Sequence, residues 1–256
     1  MVLGERHKAI LALLKQKGSV TVNELTVALN ASPATIRRDL ELLEQTSLLR
    51  RTYGGAIEYT VGYEPSLTDR ATKCTAEKIA IARLAASLIA AGDIIALDSG
   101  TTTYQIAKQL ISIEPLSIIT TSLTIAEIFA NADNDEHTII IPGGIVRTKT
   151  HSVVGEMAES NLMNYRCNTA FMSCQSITPE NGAMNDNLLA MGIKRALINI
   201  SQKIVIVADH SKFEKMSLAT VVPTKKIDVL ITDEKTSDTT LQSYRDLGIE
   251  VIIAHL

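Results

Sequence analysis

The chain has 256 residues, of which 46% are hydrophobic and 21% are charged, and its net charge is −3. This length suits one large or two ordinary domains, and because Trp is absent and only three Phe occur, the core must consist mainly of Ile, Leu, Val and Ala. A slightly acidic chain excludes indiscriminate charge-driven binding to nucleic acid, so DNA binding has to be inferred from local motifs.

The cysteines and the hydrophobic stretches predict a cytoplasmic protein. The three cysteines show neither a paired framework nor C-x-x-C spacing, so we expect free thiols, no metal site and no cofactor. The first eight residues offer no apolar segment for secretion. The most hydrophobic stretch, residues 79–97, is interrupted by Arg83 and Gly92-Asp93, which argues against a membrane span.

Residues 5–29 are predicted to form two helices. An apolar stripe indicates a first helix over about residues 5–17 that ends at Gly18. The sequence Thr21-Val22-Asn23-Glu24 is a capping box, which begins a second short helix that runs to about residue 29.

A third helix is predicted to begin at Ser32, whose hydroxyl can cap it, with Pro33 in the first turn. Its apolar positions are spaced as one helix face, at Ile36, Leu40 and Leu43. Two capped helices separated by only two residues are typical of a helix-turn-helix.

The opposite face of this third helix carries Thr35, Arg37 and Arg38, a combination that suits phosphate and base-edge contacts in a major groove. The plainer interpretation is an amphipathic surface helix with a solvated charged face. The capped helix upstream favours the recognition helix.

Residues 48–56 have β-type side chains, two further cations, Arg50 and Arg51, and a Gly-Gly turn at Gly54-Gly55. This pattern predicts a wing hairpin, so that three helices and a wing fill residues 1–57.

These residues resemble the N-terminal winged helix of the DeoR family of bacterial sugar-operon repressors. The resemblance rests on Ser32-x-x-Thr35-Ile36-Arg37-Arg38-Asp39-Leu40 and on Tyr53-Gly54-Gly55-Ala56, with Ser47 standing where the family usually has glycine. The expected partner is double-stranded operator DNA, contacted by Ser32, Thr35, Arg37, Arg38, Arg50, Arg51 and Tyr53.

A linker is predicted over residues 58–68, followed by one long helix over about residues 69–91. Short β-branched runs then alternate with helical patterns, which predicts a doubly wound, Rossmann-like α/β domain over residues 69–256 with a parallel sheet. The predicted strands are 94–97, 117–120, 138–141, 170–172, 204–208, 229–231 and 251–253, and the helices are 103–110, 123–129, 188–200 and 240–247.

Ligands of such sheets bind where strands end, and the first predicted strand ends at Asp98-Ser99-Gly100-Thr101-Thr102-Thr103. Hydroxyls, a glycine and free amides at a helix start are the components of a phosphate site, although a plain strand-to-helix turn would use the same residues as caps. No lysine follows the glycine, so a nucleotide-binding P-loop is disfavoured.

Two further strand ends carry candidate ligand groups. Asp209, Ser211 and Lys212 offer an acid, a hydroxyl and a cation for a sugar phosphate, and Gly143-Gly144 permits close backbone approach. We interpret His210 as a surface loop residue. Lys194 lies on a predicted helix. The sequence is compatible with two roles for its side chain, contact with a phosphate or exposure to solvent.

The same segments are similar to the C-terminal sensor domain of the DeoR family. The resemblance implies a domain related to ribose-5-phosphate isomerases and coenzyme A transferases that senses a phosphorylated sugar. The expected effector residues are Asp98, Ser99, Gly100, Thr101, Thr102, Thr103, Gly143, Gly144, Lys194, Asp209, Ser211 and Lys212.

Two functions of different classes remain. One is a transcriptional repressor that a ligand releases from its operator. Because a symmetric operator is read by at least two winged helices, we expect a dimer or a tetramer. The other is a sugar-phosphate isomerase or transferase with a DNA-binding appendage, which needs a carboxylate base. This chain has Leu189-Ala190 where the family often has an acidic residue, and Ser173 where the family often has glycine. We therefore expect that the protein is not an enzyme and that it prefers a less hydroxylated sugar phosphate.

Overall fold

The computed structural model describes residues 3–45, 48–58, 66–132 and 136–256. The chain forms two compact units, Met1–Tyr63 and Glu64–Leu256. Residues 59–65 of the predicted linker and the Ser47 departure lie outside the described residues. The last part of the predicted linker is already structured, because Ser66 caps the first helix of the second unit.

The described part of the first unit contains three helices and a small antiparallel sheet whose strand order is β1-β3-β2. The predicted three helices and the hairpin are confirmed, and the short strand β1 was not predicted. The elements are α1 (Leu3–Lys17), β1 (Ser19–Thr21), α2 (Val22–Leu29), α3 (Pro33–Gln45), β2 (Leu49–Thr52) and β3 (Gly55–Glu58).

Both predicted caps are present. The Thr21 hydroxyl accepts a hydrogen bond from the Glu24 amide at 3.1 Å, and the Glu24 carboxylate accepts one from the Thr21 amide at 2.7 Å. The Ser32 hydroxyl accepts the Thr35 amide at 3.2 Å, so α3 begins where the sequence places it. Between the two helices, Asn30 adopts the left-handed conformation (φ 48°) that turns the chain.

The predicted Gly-Gly turn of the wing is wrong by one residue. Tyr53 and Gly54 make the turn, whereas Gly55 already belongs to β3 and pairs with Thr21 of β1. A Cβ at Gly55 would overlap the Val20 carbonyl oxygen, so the glycine is needed where the two strands meet.

A buried carboxylate joins α1 to α3. Asp39 is 1% exposed and accepts hydrogen bonds from Nε and Nη2 of Arg6, and its Oδ1 lies 3.2 Å from His7 Nε2. Burial alone would raise the pKa of Asp39, but the hydrogen bonds from Arg6 and His7 outweigh it and lower that pKa. The predicted apolar face of α3 is buried in the hydrophobic core of the first unit, through Ile36, Leu40 and Leu43.

The second unit alternates strands and helices as predicted, with additional short elements. Its elements are α4 (Leu67–Ala71), α5 (Thr75–Ala86), β4 (Ile94–Leu97), α6 (Thr101–Leu110), β5 (Ser117–Thr120), α7 (Leu123–Ala130), β6 (Thr138–Ile140), β7 (Ile145–Arg147), β8 (Ser152–Val154), α8 (Glu156–Leu162), β9 (Cys167–Ser173), β10 (Ser176–Thr178), β11 (Gly182–Asn185), α9 (Leu189–Ile200), β12 (Ser201–Val207), β13 (Ala219–Val222), β14 (Val229–Asp233), α10 (Asp238–Asp246) and β15 (Glu250–Ala254).

Seven of these strands form a parallel sheet in the order β15-β14-β12-β9-β4-β5-β6. Successive residues of the central strands enter two different hydrophobic clusters: Ala96 packs with residues of α8 and α9, and its neighbours Ile95 and Leu97 pack with residues of α5, α6 and α7. Helices therefore cover both faces of the sheet, which confirms the predicted doubly wound α/β domain.

The single long helix predicted over residues 69–91 is wrong. The chain breaks after α4, and Cys74 takes a left-handed conformation (φ 51°) before α5 begins. The buried ammonium of Lys78 donates hydrogen bonds to the Arg70 and Lys73 carbonyls, both at 2.5 Å. These two hydrogen bonds satisfy backbone carbonyls at the end of α4 and before α5, and they stabilise a break that the apolar periodicity conceals.

Strands β7, β8, β10, β11 and β13 and helix α8 were not predicted. Each of these strands has only three or four residues, and they pair outside the main sheet, as β7-β8 and as β10-β11-β13. Within the described residues, no helix combines the length and the apolar character needed to cross a membrane.

We predict that Asp39→Asn destabilises the first unit at neutral pH by about 1–3 kcal/mol, because Arg6 and His7 lose a charged acceptor. The lowered pKa of Asp39 means that the wild-type advantage is present above the ordinary carboxyl pKa and is lost as pH falls through the depressed value. Hydrogen exchange of α1 and α3 amides at neutral and acid pH measures this. Glu5→Gln, an exposed change in α1, is the control, and a pH-independent difference would contradict the assignment.

Candidate functional site

The exposed face of α3 presents two cations. Arg37 and Arg38 are exposed, and neither guanidinium has a hydrogen-bond or ion-pair partner among the residues that the structure describes. The hydroxyls of Ser32 and Thr35, 2.8 Å apart, lie at the start of the same helix. This face therefore has the donors that phosphate oxygens and base edges accept.

The wing adds further predicted contact residues. Tyr53 is fully exposed at the hairpin turn, and Arg50 is half-buried in β2. Arg51 is attached to α3, because its amide donates to a Glu44 carboxylate oxygen at 3.0 Å and its guanidinium lies 4.0 Å from Glu41. Arg51 thus holds the wing against α3 as well as carrying a charge.

In the second unit, the end of β4 is built around a buried ion pair. Asp98 is 1% exposed, and its Oδ2 accepts hydrogen bonds from the Lys194 ammonium, the Ser173 amide (3.0 Å) and the Ser173 hydroxyl (2.6 Å). Lys194, 3% exposed, also donates to the Ser173 carbonyl at 2.8 Å. Lys194 is therefore neither solvated nor free for a phosphate, and Asp98 offers only Oδ1, which is buried without a partner among the described residues.

The glycine of the β4–α6 turn is required by the protein itself. A Cβ at Gly100 would lie 2.6 Å from the Ser173 Cβ, so the glycine lets the ends of β4 and β9 approach each other. Thr103 is fully buried, and its hydroxyl donates to the Asp98 carbonyl at 2.5 Å and lies 2.9 Å from the Gly100 amide. Thr103 is thus a cap, as the plainer interpretation has it, and Thr102 is also buried, which leaves Ser99 and Thr101 partly exposed.

The predicted glycines at the end of β6 differ from each other. Gly144 approaches the Val154 carbonyl so closely that a Cβ would lie 2.7 Å from it, which is a packing requirement within the protein. Gly143 is exposed, and a Cβ added there would lie 3.8 Å from the nearest atom, the sulfur of Met157. Both glycines are exposed, but only at Gly143 does an added Cβ find open space.

The end of β12 carries a second buried carboxylate. Asp209 is 1% exposed, and its Oδ1 accepts the Ser211 amide at 3.1 Å and the Ser211 hydroxyl. Oδ2 is buried and has no partner among the described residues. Burial alone would raise the pKa of Asp209, but Lys212, Ser211 and Lys78 together lower it.

His210 is more than the surface loop residue that the sequence suggests. It is half-buried, its amide donates to Asp233 Oδ2 at 2.7 Å, and its Nδ1 lies 3.0 Å from Asp233 Oδ1. Because Asp233 is completely buried at the end of β14, this contact fixes the orientation of the imidazole.

The candidate groups at the ends of β4, β9 and β12 converge. Burial raises the pKa of the Cys174 thiol, which follows β9, to about 12, and the charges of Lys212, Lys194, Asp209 and Asp98 all act on it. Because β4, β9 and β12 are adjacent parallel strands, their carboxyl ends, with Asp98, Ser173 and Asp209, lie at one edge of the sheet.

Lys78 and Cys74 were missed by the sequence analysis. Burial lowers the pKa of Lys78 to about 8, and burial together with Asp209 and Glu77 raises the pKa of Cys74 to about 11. Lys78 lies inside an amphipathic helical pattern where a lysine is ordinarily solvated, so no sequence signal marks it as buried.

A cleft of about 580 Å³ lies beside Thr101, the one predicted effector residue that lines it. Its other walls come from Leu67 of α4, Tyr104 of α6, Glu127 of α7 and His151. The charged groups at the strand ends described above do not line this cleft.

Comparison with protein families gives two matches. Residues 6–60 match the DeoR-like helix-turn-helix domain, and residues 73–234 match the DeoR C terminal sensor domain.

Three curated bacterial relatives align along almost the whole chain. A putative aga operon transcriptional repressor of Escherichia coli O157:H7 is 34% identical over 97% of this chain and 93% of its own length. The HTH-type transcriptional regulator GolR of Listeria innocua is 34% identical over 98% of each chain. The glycerol-3-phosphate regulon repressor of Haemophilus influenzae is 30% identical over 90% of this chain and 89% of its own length.

Solved structures overlap less well. A ribose 5-phosphate isomerase A of Methanocaldococcus jannaschii shares 16% identity over 53% of each chain with a TM-score of 0.39. The translation initiation factor eIF-2B of Pyrococcus horikoshii OT3 shares 16% identity over 90% of this chain and 82% of its own, with a TM-score of 0.43. Likeness at this level carries no conclusion, so the expected kinship with isomerase and coenzyme A transferase folds stays a prediction.

Proposed function

The chain belongs to the DeoR family of DNA-binding transcriptional regulators, and on that premise we propose that it represses a carbohydrate catabolic operon and is released by a phosphorylated sugar. Two of the three relatives described above are repressors by name, one of an aga operon and one of a glycerol-3-phosphate regulon. Such a protein acts in the cytoplasm, on the chromosome. The observation that supports the DNA-binding part of this proposal is the pair Arg37 and Arg38 on the exposed face of α3, which have no partner among the described residues.

The proposed DNA contact uses α3 in the major groove and the wing beside it. Arg37 and Arg38 extend from the exposed face, while the hydroxyls of Ser32 and Thr35 lie at the helix start. Tyr53, fully exposed at the hairpin turn, is suited to a backbone or minor-groove contact. Because one such helix reads only a half-site, the working unit is proposed to be a homo-oligomer, at least a dimer.

We predict that the double change Arg37→Ala, Arg38→Ala abolishes operator binding while the first unit stays folded. A bidentate contact to guanine would cost about 1–3 kcal/mol and relax specificity, whereas a phosphate contact would weaken all sequences and lower the salt slope by about one. Fluorescence anisotropy with operator DNA at several salt concentrations separates the two.

The double change Lys8→Ala, Lys15→Ala, which removes two exposed cations from α1, is the matched control for net charge. Operator affinity that is unchanged in the folded double variant would contradict the proposed role of α3.

The proposed effector site places the phosphate at the start of α6. This ten-residue helix offers its free amides and the partly exposed Ser99 and Thr101. Lys212 is the proposed counter-charge, because Lys194 is already neutralised by Asp98. Asp98 Oδ1, which lacks a partner among the described residues, is the proposed acceptor for a sugar hydroxyl.

We propose that this domain senses its ligand without converting it. A general base has to be free to take a proton, but the Asp98 carboxylate is held by Lys194 and by the amide and hydroxyl of Ser173. Ser173 also occupies the end of β9 against Gly100, which supports the expected preference for a less hydroxylated sugar. Release from DNA then requires that the ligand bind the DNA-incompetent state more tightly.

We predict that Thr101→Asp abolishes release by sugar phosphates and leaves operator binding intact, because it puts a negative charge at the helix start that has to accept an anion. Thr101→Asn is the control, because Asn has nearly the same shape as Asp but no charge, and this variant should still be released from the operator by sugar phosphates. The measurement is operator release against a panel of sugar phosphates, including matched deoxy and hydroxylated pairs. Equal release of Thr101→Asp and Thr101→Asn would move the phosphate elsewhere.

A further inference from the structure

We propose that Cys74, Asp209 and His210 bind a transition metal ion of the Zn²⁺ class. The Cys74 sulfur, a ring nitrogen of His210 and a carboxylate oxygen of Asp209 all lie within 4.8 Å of one another. The residues come from two segments: Cys74 lies in the α4–α5 break, and the adjacent Asp209 and His210 lie in the loop after β12, so the fold brings the thiol to the other two ligands. This is why the cysteine spacing in the sequence gives no sign of such a site.

The first supporting observation is the carboxylate of Asp209. It is 1% exposed, and Oδ1 is occupied by the amide and hydroxyl of Ser211. Oδ2 is buried with no hydrogen-bond partner among the described residues. A buried charged oxygen without a partner is unfavourable, and a bound cation at this position would satisfy it.

The second observation is the contact between His210 and Asp233. Nδ1 of His210 lies 3.0 Å from Asp233 Oδ1, and the His210 amide holds the other oxygen of the same buried carboxylate. An imidazole whose Nδ1–H donates to a carboxylate presents unprotonated Nε2 as a ligand, and metal-binding histidines usually have this arrangement. His210 is therefore already oriented as a ligand by its own neighbour.

The third observation is the backbone at Cys74. Its left-handed conformation (φ 51°) is uncommon for a residue other than glycine, and it places the thiol beside Asp209 and His210 at the start of α5. Donor atoms around tetrahedral zinc are separated by roughly 3.3–3.6 Å. Because the three atoms lie within 4.8 Å of one another, they need to approach by at most about 1.5 Å to close on an ion.

The donors and their surroundings select the class of metal. Thiolate, imidazole and carboxylate together suit zinc or cobalt, whereas calcium and magnesium prefer all-oxygen sites. The ammonium groups of Lys78 and Lys212 act on Asp209, so attraction by charge alone is weakened and bonds to sulfur and nitrogen must supply the affinity. Three protein ligands leave a fourth position for water, and Asp98 Oδ1 remains available to the proposed sugar.

The test is a titration of the reduced, chelator-treated full-length protein with Co²⁺. We expect one equivalent per chain, with a thiolate-to-cobalt charge-transfer band and the visible bands of a four-coordinate ion, displaced by Zn²⁺ but not by Mg²⁺ or Ca²⁺. Cys74→Ser should abolish the charge-transfer band, and His210→Gln should weaken binding at least tenfold.

Two matched controls, Cys167→Ser and His255→Gln, change the same residue types outside the cluster and should bind Co²⁺ like the wild type. The site would be overturned by absence of the charge-transfer band in the wild type, by its persistence in folded Cys74→Ser, or by its loss in Cys167→Ser. Unaltered affinity in folded His210→Gln would likewise overturn it, leaving an adventitious ion on a thiol.

Discussion

The ion pair between Asp98 and Lys194 is the constraint on which the strand-end edge of the second unit depends. Both side chains are almost completely buried, and taking two charges out of water costs several kcal/mol per ion unless the geometry and the remaining hydrogen bonds are good. Here the Ser173 amide, hydroxyl and carbonyl complete the contacts. The pair thereby ties the ends of β4 and β9 to α9 and fixes where α6 begins.

This constraint also determines what the edge of the sheet can do. Because Lys194 is engaged by Asp98, the proposed effector site relies on the start of α6 and on Lys212 to attract the phosphate. The first unit uses a similar contact, since buried Asp39 with Arg6 and His7 joins α1 to the helix that presents Arg37 and Arg38. In both units, a buried carboxylate at a junction between elements positions the residues proposed to bind a partner.

Local signals in the sequence predicted many of the helices, strands and caps. The features that the sequence analysis missed depend on burial or on contacts between residues far apart in the sequence. The capping box at Thr21 and Glu24 and the cap at Ser32 depend on residues three apart, so they can be read directly. The break before Cys74 depends on the burial of Lys78, whose ammonium reaches carbonyls only five and eight residues away. The role of Gly100 depends on Ser173 from another strand, and the Asp98 contacts span 75 and 96 residues. None of these leaves a periodic pattern, because each is created by tertiary packing.

The most direct test of this account is a double-mutant cycle on the buried pair, with the variants Asp98→Asn, Lys194→Met and the two combined. The quantity measured is the free energy of unfolding of the full chain in urea. If the pair organises the edge, each single change leaves an uncompensated buried group and costs about 3–5 kcal/mol, while the double variant loses much less than the sum. Costs that simply add would contradict the account, since they would mean that Asp98 and Lys194 act independently of each other.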